Sequence, residues 1–258
     1  MLALIAGTGG LPAALVARLP VRPVVCAMDG FAPELVVDVP FRIEHLGSFI
    51  DALVARCVTE VCFAGAVKRP AIDPSAIDAA TAPLVPRIMQ AIGQGDDGAL
   101  RIVIALFEER GLNVRAAHEI APDLLPAVGV LTVERPNEAD EADAEVGEDC
   151  ITEMGAADVG QACVVLDGDI LAREDIAGTE VMLTADDLTG GILFKAPKPD
   201  QDRRADLPLI GVDTARQAAD AGLLGIVIEA GGVMVLDLEA VIAELDEHGM
   251  FLWVRDAA

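Results

Sequence analysis

Short apolar runs alternate with amphipathic stretches from the first residues onward. LALIAG (residues 2–7) has the length and composition of a buried strand, TGG reads as a tight turn, and LPAALVARL follows as a helix. Pro12 falls in the first turn of that helix, where a missing N–H costs nothing. RPVVCAM (22–28) predicts a second strand ending at Asp29-Gly30, FIDALVARC (49–57) a helix, and EVCFAG (60–65) a third strand. DGALRIVIALFEERG (97–111) predicts a helix stopped by Gly111, and NVRAAH begins another strand. Strands of this length separated by helices predict a parallel α/β sheet.

The pattern changes near residue 134. ERPNEADEADAEVGED (134–149) carries eight acids among sixteen residues, as either a solvated linker or the polar first turns of a helix. A division at 133/134 follows, giving domains 1–133 and 134–258. Beyond it, GQACVVLDGDIL predicts two strands joined at Asp167-Gly168, EVMLTADDL a helix, GGILFK a strand and TARQAADAG a helix. IVIEAGGVMVLD reads as two strands around a glycine turn, and LEAVIAELDEHG as a final helix. Hairpins mixed with helices make the second domain mixed α/β, so the chain as a whole is α/β with a parallel-sheet first domain.

Composition narrows the chemistry. Of 258 residues, 53% are hydrophobic, enough for a packed core. The formal net charge of −25 disfavours nucleic-acid partners and gives no general attraction to anionic headgroups. An anionic ligand would therefore need a locally basic site. The three lysines are Lys68, Lys195 and Lys198, against fifteen arginines, so two of the three fall within four residues. Five cysteines without a C-x-x-C spacing argue against a disulfide framework, and three scattered histidines against zinc. With no signal-like start and no run of about 18 apolar residues, the expected compartment is the cytoplasm.

Three segments carry candidate chemistry. AGTGGLP places Gly7, Thr8, Gly9 and Gly10 between a strand and a helix, where backbone N–H groups and the helix dipole favour a phosphate. Asp29, at the end of the second strand, stands about where an acid meets a ribose hydroxyl. The third glycine of the dinucleotide fingerprint is absent, so a plain tight turn remains an alternative. In GDDGALR, Asp96 and Asp97 read as an N-cap and first helical turn. KAPKPDQDRRAD (195–206) packs two lysines, two arginines and three aspartates around two prolines that disfavour helix. Lys195 and Lys198 suit a diphosphate as point charges, and Asp202 with Asp206 suits Mg²⁺. The alternative is a mobile, self-neutralising charged loop.

The order of IAGTGGLP, GAVKRP, GDDGALR, DVGQACVV, EDIAGTEVML and KAPKPDQDRRADLPLIG resembles one family over nearly the whole chain. This is the UDP-2,3-diacylglucosamine pyrophosphatase of lipid A biosynthesis, of the type unrelated to calcineurin-like phosphoesterases. The resemblance implies a Rossmann-like first domain holding the UDP part and a second domain of unusual fold holding the acylated glucosamine phosphate. It implies Mg²⁺-dependent hydrolysis to UMP and 2,3-diacylglucosamine 1-phosphate (lipid X) in the cytoplasm. Contact with the inner face of the inner membrane and a homo-oligomer are compatible with it. By motif, Gly7, Thr8, Gly9, Gly10, Lys68 and Arg69 meet the nucleotide; Gln161, Thr179 and Glu180 meet substrate. Lys195, Lys198, Gln201, Asp202, Arg204 and Asp206 form the catalytic stretch. Two departures stand out. The family's E-G-T-D reads Ala177-Gly178-Thr179-Glu180, and its G-P after the catalytic stretch reads Gly211-Val212, where Asp213 adds an alternative metal carboxylate. A nicotinamide-dependent oxidoreductase and a non-catalytic UDP-sugar or nucleotide sensor are the competing readings.

Overall fold

The computed structural model describes residues 1–68, 70–199 and 201–256, with Asp96 described by its backbone alone. The chain forms two compact units. One is Met1–Pro122 with Asp202–Asp206; the other is Asp123–Gln201 with the chain from Leu207 on. The sequence reading put the division at 133/134.

The first unit contains, in order, β1 (Leu2–Ala6), α1 (Leu11–Arg18), β2 (Val24–Met28), β3 (Val39–Phe41), α2 (Leu46–Ala55), β4 (Glu60–Ala64), α3 (Val85–Ile92), α4 (Asp96–Glu108), β5 (Asn113–Arg115) and α5 (Ala117–Ile120). Its five strands are all parallel, in the order β3-β2-β1-β4-β5. Ala3, Leu4, Ile5 and Ala6 are all buried. Successive strand residues point to opposite faces, so this central strand is covered on both sides, which explains its uninterrupted apolar run. Phe41 stacks on Phe49 at 4.0 Å, and Phe107 meets Phe49 and Phe63 edge-on, tying α2 and α4 to the sheet. The strand order reverses between β1 and β4, the position where open α/β sheets place ligands beyond the strands' carboxyl ends.

The second unit contains β6 (Gly129–Val130), α6 (Glu138–Ala156), β7 (Ala162–Leu166), β8 (Asp169–Arg173), α7 (Thr179–Met182), β9 (Ile192–Lys195), β10 (Leu209–Ile210), α8 (Val212–Asp220), β11 (Gly225–Glu229), β12 (Met234–Val235), α9 (Leu238–Glu247) and β13 (Phe251–Arg255). Six strands form a mixed sheet in the order β6-β13-β11-β9-β7-β8, with β9, β11 and β13 parallel. Alternate residues feed two cores. Cys163, Val165, Phe194 and Val227 pack with Ile151 and Met154 of α6. Ala162, Val164, Leu193 and Ile226 pack with Ala215 and Ala218 of α8 and Val241 and Leu245 of α9.

The acidic stretch is helical. Asn137 caps α6 by accepting the N–H groups of Ala139 and Asp140, and Asp140 returns the bond to Asn137 N–H. The turn at Asp167-Gly168 is as expected: both residues have positive φ, 50° and 84°, the two-residue hairpin geometry. Their N–H groups donate to the buried Asp143 carboxylate of α6 at 3.0 and 2.7 Å. One expectation is corrected. The two strands of IVIEAGGVMVLD do not pair with each other, because β11 already has β9 and β13 on its two edges; β12 pairs instead with β10 in parallel. Among the described residues no helix is long and apolar enough to cross a membrane.

Candidate active site

In the second unit, the lysine stretch begins where β9 ends. β9 is an inner strand, and Lys195 is its last residue, only 6% exposed. Burying an ammonium is unfavourable unless hydrogen-bond acceptors surround it. Lys195 Nζ donates to Thr179 Oγ1 at 2.6 Å, and the Thr179 hydroxyl donates to Glu174 Oε1 at 2.9 Å. The other oxygen of the Glu174 carboxylate accepts the Gln161 N–H at 2.8 Å. Lys198, also buried, pairs through Nζ with Asp158. Its N–H donates to Gln201 Oε1 at 2.9 Å, while Gln201 N–H donates back to the Lys198 carbonyl at 3.2 Å. Pro197 and Pro199 stiffen the backbone between these contacts. The charged-loop alternative required side chains in water; Lys195, Lys198 and Gln201 are instead buried.

Gln161 adds a second kind of feature. Its Oε1 is buried and has no hydrogen-bond partner among the described residues. Such an orphaned acceptor costs about 1–3 kcal/mol, which a ligand N–H or O–H would recover. Glu180 is exposed in the first turn of α7, apart from the bonds that join its neighbour Thr179 to Glu174 and Lys195.

Asp202–Asp206 belongs to the first unit. Asp202 N–H donates to Asp97 Oδ1 at 2.8 Å, and Asp97 also accepts from Arg101. The α4 N-cap is therefore Gly95 rather than an aspartate, and Asp97 uses its carboxylate to hold the returning segment. The Asp202 carboxylate takes the N–H, Nε and Nη2 of Arg204, whose Nη1 reaches Glu108 at 2.7 Å. Arg204 holds the Asp202 carboxyl below its ordinary range, and the guanidinium is itself pushed up. Asp206 lies one turn on, its N–H directed to the Asp202 carbonyl at 3.4 Å. Asp213 falls in the second unit, at the start of α8, 87% exposed and 3.6 Å from Arg216.

Magnesium takes one or two carboxylates and leaves its other positions to water and phosphate oxygens. Asp202 and Asp206 supply two carboxylates one turn apart, and both oxygens of Asp202 also accept from Arg204. Among the described residues, no three His, Cys, Asp or Glu side chains form a closed metal cage.

The glycine loop lies at the reversal point of the first sheet. Gly7 N–H donates to the Ala64 carbonyl, and Thr8 and Ala66 exchange backbone bonds at 3.0 and 2.9 Å. A Cβ on Gly7 would sit 2.4 Å from the Ala66 oxygen, so Gly7 lets the loops after β1 and β4 run against each other. Gly9 and Gly10 remain exposed, Gly10 as the N-cap of α1. Asp29, Gly30, Arg42 and Glu44 line a cavity of about 370 Å³ beside the end of β2. Glu44 is 3% exposed; the Asp73 N–H and the Arg42 guanidinium hold its carboxyl at about 2. Lys68 is exposed, and Arg69 lies outside the described residues.

Local motifs did not single out Glu174, Asp158 or the Arg42–Glu44 pair. The first two lie within EDIAGTEVML and DVGQACVV, so the resemblance contained them without assigning them a role.

A parallel-sheet unit with a glycine turn at its reversal point and a second unit burying a lysine cluster define the class of the protein. Residues 1–124 match the LpxI N-terminal domain and residues 127–253 the LpxI C-terminal domain. The chain belongs to the LpxI family and is an enzyme of that family. Its relative in Caulobacter vibrioides (strain ATCC 19089 / CIP 103742 / CB 15), UDP-2,3-diacylglucosamine pyrophosphatase LpxI, is 38% identical over 268 residues, covering 97% of this chain and 96% of the relative.

Proposed function

We propose that the chain hydrolyses the diphosphate bridge of UDP-2,3-diacylglucosamine with the help of Mg²⁺, releasing UMP and 2,3-diacylglucosamine 1-phosphate, at the cytoplasmic face of the inner membrane. The observation that carries this reading is the burial of Lys195 and Lys198 in a polar cluster of a protein with net charge −25. A scarce cation is buried at a desolvation penalty only where an anion or its developing charge repays it.

The residues divide the work. Gly9 and Gly10, at the N-terminus of α1, offer backbone N–H groups to the nucleotide phosphates, and by the family's motif Lys68 and Arg69 serve the same nucleotide. Asp29 accepts from a ribose hydroxyl. Lys195 and Lys198 neutralise phosphoryl oxygens as point charges. The orphaned Gln161 Oε1 accepts an N–H or O–H of the acylated sugar. Asp206 orients the attacking water and accepts its proton, while Arg204 fixes Asp202. Asp202 and Asp206 would hold Mg²⁺, which would supply positive charge to the diphosphate. Phosphoryl transfer demands mainly positioning and charge stabilisation, which suits a site built around cations.

A phosphorus NMR time course with UDP-2,3-diacylglucosamine and Mg²⁺ tests the reading. Two monophosphate resonances replace the coupled diphosphate pair, and EDTA stops the change. A diphosphate that stays intact while bound overturns hydrolysis and leaves a nucleotide-sugar sensor. Turnover unaffected by EDTA removes the metal.

A further inference from the structure

We infer that Glu174 is a positioning residue of this site: acting through the Thr179 hydroxyl, it fixes the Lys195 ammonium. Its effect on turnover rests on the pyrophosphatase reading; its existence rests on geometry alone.

Glu174 is 8% exposed. A carboxylate so placed needs a donor on each oxygen. Gln161 N–H serves Oε2 and the Thr179 hydroxyl serves Oε1. Threonine has one hydroxyl proton, and the carboxylate takes it. The lone pairs of Thr179 Oγ1 are then turned to the ammonium, which donates at 2.6 Å. Lysine has no acceptor and an ionised carboxylate no donor, so the chain of bonds runs one way, from Lys195 through Thr179 to Glu174. The negative end polarises the hydroxyl and makes it a better acceptor.

The three members come from separate elements. Lys195 ends β9, Thr179 opens α7, and Glu174 follows β8, anchored by its own N–H to the Ala162 carbonyl at 2.9 Å. A lysine stem has four rotatable bonds, so an ammonium that must meet developing phosphoryl charge gains from being held in advance. The relay gives the buried carboxylate a task that satisfying the Gln161 backbone alone does not explain.

The composition makes the test direct. With only three lysines, ¹⁵N-lysine labelling gives at most three side-chain ammonium signals, and Lys195→Arg identifies the one concerned. The Lys195 signal is observed in the wild type and in Thr179→Ser, which keeps the hydroxyl. It is weakened by faster exchange in Thr179→Val, which replaces the hydroxyl with a methyl, and in Glu174→Gln. In turnover, Thr179→Val and Glu174→Gln each lower kcat by ~10-fold or more with KM within ~3-fold of the wild type. Thr179→Ser stays within ~3-fold, and the double variant is no slower than the worse single variant, because the two act as one unit. Thermal unfolding checks that each variant is folded; if Glu174→Gln is not, the Thr179 pair decides. A Lys195 signal undiminished in Thr179→Val, or a double variant that loses the product of the two single losses, overturns the relay. A wild type that binds but does not cleave the substrate defeats the pyrophosphatase reading instead, and the ammonium signals still decide the relay.

Discussion

The glycine loop of the first unit and the lysine stretch of the second each admit two readings in sequence, a ligand site or a plain connection, and packing treats them differently. AGTGGLP has the form of a ligand loop, yet Gly7 and Thr8 direct their N–H groups to Ala64 and Ala66, within the same unit. Only Gly9 and Gly10 remain for an anion. KAPKPDQDRRAD has a solvated, self-neutralising connection as its alternative reading, yet Lys195 and Lys198 are as buried as many core residues. Glycine reports what the backbone must do locally, and it can serve packing as well as binding. Burial of a charge is set by distant partners, here Thr179 and Asp158, and cannot be read from neighbouring residues.

The sharpest way to break this comparison is to remove the buried charge. Lys195→Met keeps the length of the stem and deletes the ammonium. Turnover of UDP-2,3-diacylglucosamine is expected to fall by ~10²-fold or more, the scale of losing one preorganised electrostatic group. Circular dichroism should show the fold retained. Turnover near wild type would make the stretch a structural connection after all.

The glycines offer a smaller contrast, read in stability. Gly7→Ala places a Cβ 2.4 Å from a backbone oxygen that cannot turn aside, and is expected to cost ~1–3 kcal/mol in urea unfolding. Gly9→Ala meets nothing within 4 Å, and its penalty is the φ of +96°, about 1–2 kcal/mol. Its larger effect is expected on the KM for the UDP-lipid. If both variants change KM equally and stability not at all, the packing role given to Gly7 is wrong.

Much of the fold was legible because short apolar runs of strand length and helical periodicity are local signals. β1, α1, β2, β4, α4 and the Asp167-Gly168 hairpin all follow from them. β3 escaped because three residues around Pro40 are too few for a pattern, and α3 because Pro86 early in VPRIMQAI reads as a breaker before it reads as a first-turn proline. β13 was accessible: FLWVR is strand-like in composition and follows Gly249, whose φ of 64° ends the last helix. The site divides differently. Lys195, Lys198 and Asp202 were conspicuous for charge, whereas Thr179 and Gln161 came only through family resemblance. Glu174 lies within the resemblance but gained no role from it, because a residue whose partners stand 5 and 13 positions away on other elements leaves no periodic trace.

The smallest effect concerns the cavity beside β2, where a buried charge in the first unit can be compared with those in the second. Glu44 has a folded pKa of about 2 against an ordinary value of 4.5, first because the Asp73 N–H donates to it and then because Arg42 does. The unfolded chain binds the proton more readily, so this group stabilises the fold fully above its unfolded value and progressively less as the pH falls from 4.5 toward about 2. Glu44→Gln keeps an acceptor for Asp73 and removes the charge opposite Arg42. At neutral pH the variant is expected to be less stable in urea, and its deficit should shrink as the pH drops below 4.5. Because the Arg42 side chain is 45% exposed, added salt should narrow the gap at neutral pH as well. A deficit independent of both pH and salt would mean that Glu44 acts by shape alone. The cavity wall would then owe nothing to its ion pair, and the likeness to the buried cations of the second unit would end at burial.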